Sequence, residues 1–181
     1  MQKTVRLFLI SMLVFFSALG FARADSTMHT LVPAKKNVEV LFVMLSQKAN
    51  IHAVADKPGI FELTLTGVNP KVIYFSDRPV RMSSHLSVRK FVQEWETGSF
   101  KHSAPNAVME AVKLNAHTKQ PQKTESSYPI VLKHPVYHAK TNQLSFEIKA
   151  LPGSNIALPA SASSDYVAIF VDGVCFTCIG G

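Results

Sequence analysis

The chemistry-bearing residues of this chain concentrate in one corner. After the apolar run Val72-Ile73-Tyr74-Phe75 come Ser76-Asp77-Arg78-Pro79, and between Arg78 and Lys90 stand Arg78, Arg81, Arg89 and Lys90 with no acid among them. A helix is expected to begin nearby. Arginines beside a helix start suit a phosphate or a carboxylate, which they hold by charge-assisted, often bidentate hydrogen bonds. Asp77, Arg78, Arg81 and Arg89 are therefore the candidate binding residues, for a lipid headgroup, an acidic glycan or the acidic segment of a protein. A purely structural role competes: Asp77 pairs with Arg78 or caps the turn, while Arg78 covers the end of the fold.

Nucleophile and metal chemistry find less support. No G-x-S-x-G is present, and Ser83-Ser84-His85 has no glycine-framed elbow, so a hydrolase centred on Asp77–His85 is the alternative rather than the leading reading. Met82 and His85 could serve a soft ion such as copper, making periplasmic copper or zinc binding a further alternative, but no third ligand is evident. His134 and His138 have the i, i+4 spacing of a helical zinc pair, yet their surroundings read as strand, where they would lie ~13 Å apart. No motif calls for a cofactor. The two cysteines, Cys175 and Cys178, form "CFTC" near the C-terminus, outside the strand–helix setting of a redox pair. In an exported protein a structural disulfide is the default. A straight strand would hold their Cα atoms ~10 Å apart, so bonding requires the strand to end near Phe176 and curl.

Export itself is read from residues 1–24. Lys3 and Arg6 precede an apolar run from Leu7 to Phe21 and the small-x-small end Ala22-Arg23-Ala24, the pattern of a cleaved signal peptide. The expected destination is the periplasm or the medium. Removing that segment leaves sixteen basic and twelve acidic residues, a net charge of +4. So small a positive balance, with no basic helix or RNA-binding aromatic signature, argues against nucleic acid as a partner. No transmembrane segment is expected beyond the signal.

The elements that must position these residues are mostly strands. A polar tail over 25–37 precedes a single domain over 38–181. Val38–Leu45 is almost unbroken apolar and predicts a central strand covered on both faces. Ala49, Ile51 and Ala53 alternate with polar neighbours, a weaker strand or a continuation after a bend. Pro58-Gly59 predicts a type II turn, and Phe61, Leu63 and Leu65 the inner face of a half-buried strand. Val88, Phe91, Val92 and Trp95 share one helical face, with Ser87 as N-cap, predicting a short helix over about 87–97. Strand character returns at Ala107–Leu114. Asn115–Pro129 reads as an exposed loop. Strands follow at Ile130–Leu132 and Val136–His138, with Pro135 forcing an edge or bulge, then at Leu144–Ile148. "YVAIFV" leads to Asp172-Gly173, a two-residue hairpin signal ahead of a last strand from Val174. Many short strands, one helix and no βαβ alternation predict an all-β, immunoglobulin-like sandwich.

The stretch "LTLTGVNPKVIYFSDRP", Arg81, "FVQEW" and Pro105-Asn106-Ala107 resembles an uncharacterised family of secreted bacterial proteins with a "TLTG…YFSDRP…R…F…W…PNA" core. The match covers Leu63 to Ala107, and the "CFTC" ending and the polar loop are not part of it. The resemblance implies export and attaches no catalytic residues. The function expected from these observations is a non-enzymatic binding module, either of the cell envelope or released as a type II-secreted effector.

Overall fold

The computed structural model describes residues 38–76, 81–121 and 126–175. The signal segment, the polar tail, Asp77, Arg78 and Cys178 lie outside the described residues. The fold is all-β and sandwich-like: nine antiparallel strands and one short helix. The strands are β1 (Glu39–Ala53), β2 (Phe61–Val68), β3 (Lys71–Ser76), β4 (Ser83–Ser87), β5 (Asn106–Val112), β6 (Ser126–His138), β7 (Gln143–Ala150), β8 (Ser161–Ser164) and β9 (Tyr166–Cys175). Their order is β2-β7-β6-β5-β9-β1-β3-β4, with β8 beside β1. Because β1 also pairs with β2, the pairings β1–β2–β7–β6–β5–β9 close on themselves.

The closure depends on the bend of β1. Its first half pairs with β9 and β3, its second half with β2 and β8. Val40, Phe42, Met44 and Ser46 point inward, and after Gln47-Lys48 the inward set becomes Ala49 and Ile51. Strand β2 changes phase opposite, at Gly67. Gly67 adopts φ 68°, and a Cβ there would come within 2.6 Å of the Gln47 amide, so glycine is required. The Ser46 hydroxyl spans the bend, 2.9 Å from both Lys48 O and Thr66 O, which share its one proton. Strands that switch layers at such corners let two sheets share one core. The expected continuation of β1 after a bend is what the chain forms, and Lys57–Ile60 makes the expected turn, with Gly59 at φ 76° and Ile60 N–H on Lys57 O.

The core is lined by Phe42, Met44, Leu63, Leu65, Ile130, Leu132, Phe146 and Ile169, all fully buried. The helix α1 (Val88–Gln93) begins at Ser87, whose side chain accepts from Lys90 N–H, a cap worth about 0.5–2 kcal/mol. It is shorter than the expected span; turns and a 3₁₀ segment, Ser99–Lys101, complete the stretch. Its buried Phe91 stacks 5.2 Å from Phe42, and Trp95 lies 4.5 Å from Phe100 and 5.9 Å from Phe146. These contacts put α1 on the inner side of the β3–β4 hairpin.

Just past α1, Glu94 is only 5% exposed and accepts from Ser99 N–H at 3.3 Å. Burial raises its pKa above the ordinary 4.5, opposed by the Ser99 bond and by the Lys90 charge. The folded state thus holds the proton more tightly than the unfolded one, and Glu94 contributes stability below pH 4.5 that is lost as pH rises through the raised value. Glu94→Gln keeps an acceptor for Ser99 without the charge. Thermal melts across pH should show the variant gaining on the native chain above pH 4.5 and matching it below; a constant difference at every pH would refute the burial argument.

Three expectations change in the structure. Asp172-Gly173 is not a hairpin: β9 runs through it to Cys175, and two residues there face Leu41 alone. The bulge leaves little room at Gly173, where a Cβ would come within 3.1 Å of Val40 O. The polar segment after Leu114 is not loop throughout, for Ser126–Pro129 already pair with β5. And Val38–Leu45 is covered on one face only, as Leu41 and Leu45 are exposed. The bulge expected at Pro135 is present: the β6–β7 register shifts between Lys133 and Val136, with His134 at φ 45°.

Candidate functional site

The uncovered face of β1 is part of a larger surface. Along β1, Leu41, Val43 and Leu45 alternate with the inward Phe42 and Met44. The pairing register aligns their neighbours across the sheet. Val43 is opposite Ile73 of β3 and Phe170 of β9, Phe170 is opposite Val108 of β5, and Ile73 is opposite His85 of β4. One transverse row therefore reads Val108, Phe170, Val43, Ile73, His85. To one side, Leu41 lies opposite Phe75. To the other, Leu45 lies opposite Ala168, which lies opposite Glu110.

This face is apolar and open. Phe170 is 43% exposed, Ile73 45%, Leu45 41% and Tyr166 55%, with Leu41, Phe75 and Val108 also exposed. Seven of the nine exposed large hydrophobic residues among those described belong to it; only Val136 and Ile156 lie elsewhere. Scattered apolar residues on a surface need no explanation, but a contiguous patch of this kind marks an interaction surface. The inner face of the same strands is filled by α1 and the opposite layer, so both faces are apolar and, among the described residues, nothing covers the outer one.

Charge borders the patch unevenly. Glu110 flanks it on the β5 side and Lys71, His85 and Arg81 on the β3–β4 side, while Asp172 and Glu39 stand at one end of the central β9–β1 pair. Glu110 accepts from the Ser127 hydroxyl at 2.6 Å. No pair across the face neutralises these two flanks among the ion pairs of the described residues.

Of the corner singled out by the sequence, Asp77 and Arg78 lie outside the described residues. Arg81 precedes β4 and Arg89 follows it in α1, both exposed. The intervening five-residue strand spans ~13 Å, so the two arginines leave the main chain at opposite ends of β4. Met82 is turned toward the core, its backbone tied to Ser76 through Ser76 N–H on Met82 O and Met82 N–H on Ser76 Oγ, both 2.9 Å. His85 points outward at the edge of the apolar row. No group of three His, Cys, Asp or Glu side chains that could hold a metal occurs among the described residues. Cys175 closes β9 opposite Glu39.

A groove of about 350 Å³ opens on the β3–β4 side of the face, lined by Lys71, Ile73, Ser83 and His85, and two others lie on the described surface. One of about 410 Å³ lies at the β1–β2 bend, where Asn69 Oδ1 takes Lys71 N–H and Asn142 Nδ2 donates to Val68 O; its amides serve the corner. A smaller one, about 190 Å³, holds Glu147 between Lys57 at 3.3 Å and His134 at 3.6 Å, exposed pairs of the kind worth little.

No helix among the described residues is long and apolar enough to cross a membrane. Comparison with protein-family models, with curated proteins and with solved structures finds no match to this chain. The apolar outer face is the feature that sequence reading passed over. Its signal lay in Val38–Leu45, a run apolar on both faces.

Proposed function

We propose that the chain is an exported bacterial binding module that works by docking rather than by catalysis, and that its docking surface is the outer face of β4-β3-β1-β9-β5. The single observation behind this reading is the open apolar row from Val108 to Ile73 with Leu41, Leu45, Phe75 and Tyr166 around it. Covering such side chains is favourable at about 25 cal/mol per Å². Export is supported by the leader pattern of residues 1–24 and by the resemblance to secreted proteins. Arg81 and His85 act in this reading as polar rim, where charge sets orientation and encounter rate more than affinity.

The test places a photo-crosslinking amino acid at Phe170, and in a control at Glu62, which is exposed on β2 away from the face. The variants are expressed in a bacterium that exports the chain. Phe170 should give adducts in the periplasmic or extracellular fraction and Glu62 none. Adducts from neither, or an unprocessed chain retained in the cytoplasm, would overturn the reading.

A further inference from the structure

From the geometry of this face we infer that its occupant is a second copy of the same chain, packed sheet on sheet about a two-fold axis that runs along the strands between β1 and β9. The inference rests on the docking reading above and names its partner.

Size is the first argument. The face spans five strands, from β5 to β4, with about three outward residues along each. At ~4.8 Å between strands and ~6.7 Å between successive outward residues, it covers on the order of 500 Å² in projection. Corrugated by side chains, that approaches the ~800 Å² per partner of a standard interface.

Shape is the second. An axis along the strands carries β9 of one copy over β1 of the other and keeps each transverse row in place. Phe170 then meets the smaller Val43 of its mate, and Leu45 meets Ala168, residues already aligned row by row by the β1–β9 register. Large side chains face small ones in both rows. The strands of the two copies stay aligned, the arrangement that twisted sheets adopt when stacked ~10 Å apart.

Charge complementarity is the third. The same rotation lays the β5 side, with Glu110, over the basic β3–β4 side. Glu110 is aligned with Leu45 through Ala168, and it comes over the end of β3 where Lys71 is the next outward residue after Ile73, just past the last β1–β3 pair. Each contact occurs twice, as isologous interfaces require. An axis across the strands would instead lay each strand over its own copy, basic side on basic side.

The experiment uses the exported chain, with mass measured by light scattering over micromolar concentrations. The native chain should have twice the mass of one copy, and Phe170→Lys the mass of one copy with an unchanged circular dichroism spectrum. Glu110→Lys and Lys71→Glu should each weaken association about tenfold, since two rim contacts turn repulsive, and together in one chain should restore it. A native chain with the mass of one copy overturns the inference, including the case where footprinting shows the face covered by the chain's own N-terminal segment. A doubled mass that Phe170→Lys leaves intact also overturns it, as does failure of the double variant to recover. If the native chain is single but Phe170 still crosslinks to another protein in the cell, self-association falls and the docking reading stands. If Phe170 crosslinks to nothing, both fall.

Discussion

Phe42→Ala should cost about 3–5 kcal/mol, a large part of the ~5–15 kcal/mol that holds such a domain folded. Phe42 is fully buried on the inner face of β1. Its ring meets Phe91 at 5.2 Å, Tyr74 at 6.1 Å and Phe100 at 6.2 Å, so helix, hairpin and 3₁₀ segment all converge on it. Removing the ring forfeits transfer free energy and opens a cavity lined from three directions. Collapse into that cavity is restricted, because β1 is held on one side by β9 and on the other by β3. Urea unfolding provides the measurement. With a slope of ~1–3 kcal/mol per molar, the midpoint should fall by roughly 2 M. Ile156→Ala, at an exposed loop position, is the control and should stay within about 0.5 kcal/mol of the native chain. A loss below about 1.5 kcal/mol for Phe42→Ala would mean that the aromatic cluster does not pin α1 to the sheet.

The aromatic cluster was legible because period and capping agree locally. Ser87, Val88 and Phe91 announce a helix whatever packs on it, and Leu63 with Leu65 announces an inner face. Pro58-Gly59 fixes its turn through the φ that only glycine takes easily. Asp172-Gly173 carries an equally good local signal and yet is a bulge, because the pairing of β9 with β1 continues past it and needs one extra residue opposite Leu41. That pairing joins residues more than a hundred positions apart, and no local pattern reports it. The candidate site was hidden for the same reason. Val108, Phe170, Val43 and Ile73 come from four strands and become neighbours only through register. Charged residues at Arg81 and Arg89 drew attention by their spacing in sequence, but a strand lies between them in space. An apolar run such as Val38–Leu45 shows that both faces want cover without saying whether the cover belongs to the same molecule.

Gly98→Ala should destabilise the fold by about 1–3 kcal/mol, although Gly98 sits at φ −105°, a conformation open to alanine. The obstacle is Glu94. A Cβ on Gly98 would overlap the Glu94 carboxylate and approach the Glu94 main chain to 2.9 Å. The side chain can escape by swinging into solvent, but it then abandons the Ser99 N–H that it accepts at 3.3 Å. The clash with the main chain persists in either case. Escape is easiest for the charged form, since burial is what holds the Glu94 pKa above 4.5. The cost of Gly98→Ala should therefore be largest at low pH, where the protonated carboxyl is content inside, and shrink as pH rises through the raised value. Combining Gly98→Ala with Glu94→Ala should recover part of the loss, with a coupling of about 0.5–3 kcal/mol, leaving the main-chain clash as the remainder. If the two substitutions add to within about 0.5 kcal/mol, or if the cost of Gly98→Ala does not change with pH, the steric account of this glycine is wrong.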